Sequence, residues 1–202
     1  MRNLISGGAG FIGANLTKKL IDIGEEVICL DNFLTSNKNN ISEFLSKPNF
    51  KLIEQDVIQP LDIKIDRIWH LACPASPHHY LKDPIKTSKI IFFGTKNLLE
   101  LAQRQNARFL FASSSEIYGE STIHPQVEGD NGSFFSIGKR SCYREGKRFA
   151  ESLCFDFHRT FLTDIRIARI FNTYGPYMLK NDGRVISNFI QQAINNQPIT
   201  LN

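Results

Sequence analysis

The stretch that most constrains this chain is Gly7-Gly8-Ala9-Gly10-Phe11-Ile12-Gly13, which follows a short apolar run, Leu4-Ile5-Ser6, and precedes an amphipathic one. It reads as a strand, a tight turn and a helix start. Gly7, Gly10 and Gly13 remove a Cβ where a dinucleotide fold cannot tolerate one. The first permits the turn, the second lets the backbone approach a pyrophosphate, and the third lets the helix pack on the strand. The helix N-terminus then offers free N–H groups and partial positive charge to phosphates. A helix over Phe11–Ile23 stopped by Gly24 leads to a second buried strand, Val27-Ile28-Cys29-Leu30, ending in Asp31. An acidic side chain at that place accepts hydrogen bonds from an adenosine ribose and repels a 2′-phosphate, which favours NAD over NADP. The competing reading of Asp31 is a turn or helix cap ahead of Ser36–Asn40.

Composition narrows the rest. The 202 residues are 42% hydrophobic and 22% charged, an ordinary globular balance with enough chain for a real core. The formal charge of +4 is mild and its lysines and arginines are scattered, so nothing marks a nucleic-acid surface. Cys29, Cys73, Cys142 and Cys154 have no CxxC spacing and sit in apolar or helical contexts. They read as reduced thiols of a cytoplasmic protein, with no metal site. A strand begins within the first few residues, leaving no room for a signal peptide, and no apolar run approaches a membrane span.

In order, a polar loop from Asn32 leads to a short helix around Ile41–Leu45, a strand at Phe50–Glu54 and, after a break at Pro60, a fourth strand at Arg67–Leu71. A proline-rich loop, Cys73 to Tyr80, follows. Asp83-Pro84 forms an N-cap and first-turn pair for a long helix to about Gln103. Phe109–Ala112 is a fifth buried strand that empties into Ser113-Ser114-Ser115-Glu116. The helix from Ser141 to Phe161 carries Phe149, Leu153 and Phe157 at the spacing of a core stripe. Asp164–Ile170 reads as strand six, and a last helix is expected from Val185 to about Asn195, before an extended Ile199-Thr200-Leu201. Alternating strands and helices predict a doubly wound parallel α/β (Rossmann) sheet.

Tyr143 and Lys147 are four apart in a predicted helix and share a face. A phenol titrates at about 10 in water, and a nearby ammonium favours the phenolate, moving the group toward use as a base. Ser114 lies at the end of strand five, where the carboxyl ends of an open α/β sheet face the ligand crevice. Together these groups can take a proton from an alcohol while a nicotinamide takes the hydride. The other reading of Ser113–Ser115 is a turn or helix cap.

This order of residues resembles the extended branch of the short-chain dehydrogenase/reductase superfamily, the nucleotide-sugar epimerases, dehydratases and decarboxylases. The stretches His70–Pro77, Ser115-Glu116-Ile117-Tyr118-Gly119, Arg140–Arg148, Arg166–Pro176 and Asp182-Gly183-Arg184-Val185 are similar to its UDP-glucuronate decarboxylase group in particular. The resemblance implies NAD as cofactor, with Gly7, Gly10, Phe11, Ile12, Gly13, Asp31, Asn32, Asp56, Val57, Leu71, Ala72, Tyr143 and Lys147 around it. It implies a UDP-sugar substrate, bordered by Pro77, Tyr80, Glu116, Tyr118, Asn172 and Arg184. Tyr143, Lys147, Ser114 and Glu116 would be catalytic, converting UDP-glucuronate to UDP-xylose through a 4-keto intermediate. The competing reading of Arg184 is a solvated helix start. A homodimer is also implied, paired through the helices of Asp83–Gln103 and Ser141–Phe161, with Ile90, Phe92, Phe93, Leu98 and Phe149 at the seam.

The chain also departs from that pattern. An asparagine is usual where Ile91 stands, an acidic residue where Arg144 follows Tyr143, and an arginine where Tyr177 follows Gly-Pro. Residues 1–170 read as the NAD-binding domain and 171–202 as an incomplete substrate-binding region, because family members run on past Asn202. Slow or absent turnover is therefore expected of the short chain. Two further readings are an NAD-binding remnant with a structural or regulatory role, and another epimerase or dehydratase of the same branch.

Overall fold

In the computed structural model, which describes residues 1–201 except Asn131 and Phe134, six parallel strands form one sheet in the order β3-β2-β1-β4-β5-β6. These are β1 (Arg2–Ser6), β2 (Glu26–Asp31), β3 (Phe50–Glu54), β4 (Arg67–His70), β5 (Arg108–Ser114) and β6 (Ile165–Ile170). The order reverses between β1 and β4, and ligands of such sheets bind at that switch, outside the carboxyl ends of the strands. The predicted doubly wound sheet is therefore present.

Strand alternation builds the two cores. Leu4, Leu30 and Ile68 enter one cluster with Phe109 and Phe111, while their neighbours Ile5, Cys29 and Trp69 face the other cluster. Successive side chains of a strand point to opposite faces, so a sheet covered on both sides buries nearly all of them. The first cluster is closed by α3 (Pro84–Gln105) and α4 (Ser141–Phe161). The second is closed by α1 (Phe11–Asp22) and a 3-10 helix, Lys38–Phe44, through Leu20, Ile21, Ile41 and Phe44.

Asp83 caps α3 as expected, its Oδ1 accepting from the Lys86 amide at 2.9 Å. The proline-rich segment, expected as loop throughout, contains a one-turn helix, α2 (Pro77–Tyr80). The last helix, α5, spans Val185–Ile194, and Ile199–Leu201 form no strand. Asn202 lies outside the described residues.

The stripe read on α4 needs correction. Leu153 and Phe157 pack against the core, but Phe149 is 49% exposed; the buried face is Tyr143, Lys147, Ala150, Glu151 and Cys154. Two polar residues on that face escaped a reading based on apolar period. On α3, Ile90 and Leu98 are buried in the protein's own core, whereas Phe92 and Phe93 are exposed. Of the five residues expected at a seam, Phe92, Phe93 and Phe149 are exposed and Ile90 and Leu98 are not available to a partner.

Ile91 is buried where α3 meets α4, and a Cβ on Gly146 would come within 2.9 Å of its Cδ1. The glycine lets the helices close on this isoleucine.

Candidate active site

The loop after β1 turns at Gly7, whose φ is +73° and whose Cβ would lie 2.9 Å from the Ala72 nitrogen. A Cβ on Gly13 would fall 2.1 Å from the Gly7 carbonyl oxygen, so α1 can start this close to β1 only without one. Over Gly10 the space is open: a Cβ there would meet only the Gly7 carbonyl, at 3.2 Å. No side chain caps the first turn of α1. Its leading amides lack intrahelical acceptors.

These residues line one end of a cleft of about 820 Å³ that runs along the carboxyl ends of the strands. The same cleft is lined by Phe11, Ile12, Asp31, Asn32, Asp56, Val57, Leu71 and Ala72 on the side of β1 to β4, and by Ser114, Tyr143 and Lys147 beyond them. Pro77, Glu116, Asn172 and Arg184 also border it. Its size suits a cofactor with a substrate, and open space above Gly10 beside an uncapped helix start fits a pyrophosphate.

Asp31 already has work within the protein. Its Oδ2 accepts from the Ala9 amide at 2.9 Å, and its Oδ1 accepts from the Phe33 amide at 2.9 Å and the Ser36 hydroxyl at 2.7 Å. The capping reading of this residue is the one these bonds show. It caps the turn after β2 and ties the glycine loop, and a carboxylate has about four acceptor positions, of which these bonds use three.

Lys147 is buried, its Nζ donating to the Ala112 carbonyl at 2.6 Å and lying 5.8 Å from the centre of the Tyr143 ring. Burial lowers its pKa, while Cys73, Cys154 and Glu151 act in the other direction. Burial also raises the pKa of Tyr143, reinforced by Cys73 and opposed by the Ser114 hydroxyl. The expected lowering by the lysine is not seen: desolvation is the largest influence on Tyr143, and its direction is upward.

Two residues expected at the sugar stand behind the cleft wall instead. Tyr80 is fully buried, its ring stacked on Tyr143 at 4.9 Å between centroids and 6° from parallel. Tyr118 is 2% exposed, and its hydroxyl accepts from Arg169 at 3.1 Å. Neither lines the cleft. Arg184 does line it, but its guanidinium is held by both oxygens of Asp182.

The cleft also contains residues the sequence reading did not place there, Arg140 and Arg144 among them. Arg144 donates from Nε to Glu116 Oε2 at 2.9 Å. The four-residue spacing of Arg140 and Arg144 around Tyr143 was the available signal, since residues so spaced share a helical face.

Beyond β6 the chain folds back over the glycine loop. Asn15 donates to the Pro176 carbonyl, Tyr177 donates to Glu43, and the Asn40 amide donates to the carbonyls of both Ala9 and Tyr177. Among the described residues, no group of three or more His, Cys, Asp or Glu side chains could hold a metal, and no helix is long and apolar enough to cross a membrane.

A glycine loop at the switch point of a 3-2-1-4-5-6 sheet, sharing one cleft with a serine, a tyrosine and a lysine, defines a nucleotide-dependent oxidoreductase-type site. Residues 3–202 match the NAD dependent epimerase/dehydratase family, and the chain belongs to it. It is 54% identical over 202 residues to UDP-glucuronic acid decarboxylase 3 of Arabidopsis thaliana, covering 100% of this chain and 59% of that protein. It is 50% identical over 200 residues to UDP-glucuronic acid decarboxylase 1 of Xenopus tropicalis, covering 99% of this chain and 48% of that one. The chain spans about half the length of these relatives. Among solved structures, UDP-glucuronic acid 4-epimerase from Bacillus cereus in complex with UDP-glucuronic acid and NAD superposes with a TM-score of 0.84 at 27% identity, covering 100% of this chain and 65% of that one.

Proposed function

We propose that the protein containing this chain decarboxylates UDP-glucuronate to UDP-xylose through a 4-keto sugar, with NAD as a recycled cofactor. The observation that carries this reading is the gathering of the glycine loop, Ser114, Tyr143, Lys147 and Glu116 in one cleft. The identity to UDP-glucuronic acid decarboxylases supports this reaction among those such a cleft can run.

Gly7, Gly10, Gly13, Phe11 and Ile12 would hold the pyrophosphate, Asp31 and Asn32 the adenosine ribose, and Asp56, Val57, Leu71 and Ala72 the remainder of the cofactor. When bound, NAD supplies a hydride acceptor and a positive charge that opposes the desolvation of a phenolate. The Tyr143 oxygen takes the proton from the sugar's 4-hydroxyl, with Ser114 hydrogen-bonding the same oxygen and Lys147 favouring the phenolate. A 4-ketone lies β to the carboxylate, so carbon dioxide leaves with its bonding electrons delocalised into an enolate. Glu116 addresses the ring and the proton that returns to carbon 5. The hydride lost from carbon 4 as the ketone formed would then return to carbon 4 from the reduced cofactor, as Tyr143 gives its proton back to the 4-oxygen.

Asn172 and Arg184 would meet the diphosphate and uridine, as the start of a substrate-binding region over 171–202. Tyr80 and Tyr118 would support the sugar's neighbours from behind. Phe92, Phe93 and Phe149 form one exposed ring cluster, with centroids at 4.9 and 5.4 Å from Phe92. Its apolar area supports a homodimer through α3 and α4, and four free thiols support a cytoplasmic setting.

The test is to incubate the protein with NAD and UDP-glucuronate and analyse the nucleotide sugars by mass spectrometry and chromatography. A UDP-pentose is the expected product. An isomer of unchanged mass would replace the reading with a 4-epimerase, and NAD binding with no conversion would replace it with a non-catalytic role.

A further inference from the structure

The turn that carries Ser114 and Glu116 is too short to hold itself. It is the 3-10 helix Ser115–Tyr118 after β5, four residues long, with Ser114 as its N-cap accepting from the Glu116 amide at 3.2 Å. A 3-10 turn has poorer hydrogen-bond geometry than an α-helix, so one this short takes its place from what it is tied to. Glu116 is tied to the start of α4 by Arg144. The other end of the turn is tied by Arg169.

Arg169 stands on β6 opposite Ser113 of β5, one place before the pair Ser114 and Ile170. Its Nε and Nη2 donate to the two carboxylate oxygens of Glu151 on α4, at 3.2 and 2.9 Å. Its Nη1 donates to the Tyr118 hydroxyl at 3.1 Å and to the Glu128 carbonyl at 2.8 Å. The guanidinium carbon also lies 5.0 Å from the centre of the Tyr118 ring. Tyr118 and Glu151 are both buried, where charge-assisted bonds meet little competition from water. Glu151 is one turn past Lys147 on the buried face of α4. One arginine therefore joins the strand end that leads to Ser114, the turn that holds Glu116 and the helix that holds Tyr143 and Lys147. Neither Arg169 nor Glu151 lines the cleft.

We propose that Arg169 is a positioning residue for the reaction: without touching sugar or cofactor, it sets the Ser114–Glu116 turn against the Tyr143–Lys147 helix. By occupying both oxygens of Glu151 it also removes a carboxylate that, four residues from Lys147, would compete for the ammonium, and Lys147 stays on the Ala112 carbonyl. A lysine in place of Arg169 keeps the charge but presents no planar fork to span Glu151 and Tyr118 together. The catalytic consequence rests on the reaction proposed above; the hold on the turn does not.

The test measures UDP-pentose formation from UDP-glucuronate by Arg169→Lys and by Tyr118→Phe, which deletes one bond and keeps the ring. In both, kcat per NAD-binding site falls by about tenfold or more while KM and NAD affinity stay within about twofold, because a catalytic group displaced by about 1 Å can cost about 100-fold. Counting NAD-binding sites by titration keeps a loss of folded protein from imitating this split. Hydrogen exchange at the amides of Glu116 and Gly119, both bonded within the turn, quickens by about tenfold or more in the variants and is unchanged in α1. Unchanged kcat in Tyr118→Phe overturns the inference, as does unchanged exchange in both variants. Tyr118→Phe decides the matter if Arg169→Lys no longer binds NAD. A wild type that makes no pentose overturns the decarboxylase reading instead, and the exchange rates then decide the hold by themselves.

Discussion

Tyr80 and Tyr143 lie ring on ring, 6° from parallel, and the Tyr80 hydroxyl is buried without a hydrogen-bond partner among the described residues. Burial and the nearby Glu116 push that hydroxyl's pKa up to about 12, so it is a neutral phenol. The ring is what the fold uses: it sets the plane in which Tyr143 can sit.

Tyr80→Phe should therefore leave stability unchanged or raise it by about 1 kcal/mol, because an unpaired buried hydroxyl is removed while the stacked ring remains. Tyr80→Ala should cost about 3–5 kcal/mol and release Tyr143. Urea unfolding of both variants measures this. A large loss in Tyr80→Phe would mean that the hydroxyl has a partner, such as an ordered water.

His70 predicts a dependence on acid. Its Nδ1 is 2.7 Å from the Ser6 hydroxyl and its Nε2 is 3.1 Å from that of Thr95. Burial, followed by the neighbouring Lys147, holds its pKa down to about 3 from 6.5. Between those values the unfolded chain binds a proton that the folded chain does not. Stability from this group is complete above 6.5 and falls as the pH drops toward 3, by up to about 1.4 kcal/mol per pH unit. Unfolding midpoints between about pH 4 and 7 should slope less in His70→Gln than in wild type. Parallel slopes would remove His70 from the account.

Asp31→Asn tests the cofactor assignment and the loop together. The variant should bind NAD and NADP with nearly equal affinity, because the charge that repels a 2′-phosphate is gone. It should also be about 1–3 kcal/mol less stable, since the carboxylate anchors Ala9, Phe33 and Ser36. Calorimetry with both cofactors and thermal unfolding read the two effects separately. Intact NAD preference in a destabilised variant would leave Asp31 with only its capping role.

Ile91→Asn, which restores the residue expected there, should cost about 2–5 kcal/mol. Ile91 is 1% exposed against Gly146 and the core of α3 and α4. An amide in that seam would lose the apolar contact and gain no evident partner. Chemical denaturation checks it, and a neutral result would show that the amide finds a partner, with Lys147, the residue after Gly146, the first to examine.

The fold was legible because its signals are local and repeat. Glycine spacing, apolar runs for strands and the Asp83-Pro84 start each depend on a few neighbouring residues, and the elements they predict appear in β1, α1, β5 and α3. Burial on α4 was not legible in the same way. Phe149 is apolar yet exposed, while Lys147 and Glu151 are charged yet buried, because tertiary partners decide those sites: Ala112 O for the lysine and Arg169 for the glutamate. The one-turn helix at Pro77–Tyr80 was hidden by its prolines, and it takes Tyr80 away from the cleft. The Arg144 contact needs the turn after β5 to meet the start of α4, a meeting no linear spacing encodes.

The Asn40 side chain gives one NH2 group to two carbonyls, Ala9 in the glycine loop and Tyr177 after β6. A stretch of chain from the far edge of the sheet is thereby made part of the glycine loop's own scaffold. In modular terms the boundary near residue 170 is no place to cut. A chimaera joined there to a foreign sugar-binding half would inherit the glycines intact but set on a loosened mount, so a graft has to carry residues 172–177 along with the first half.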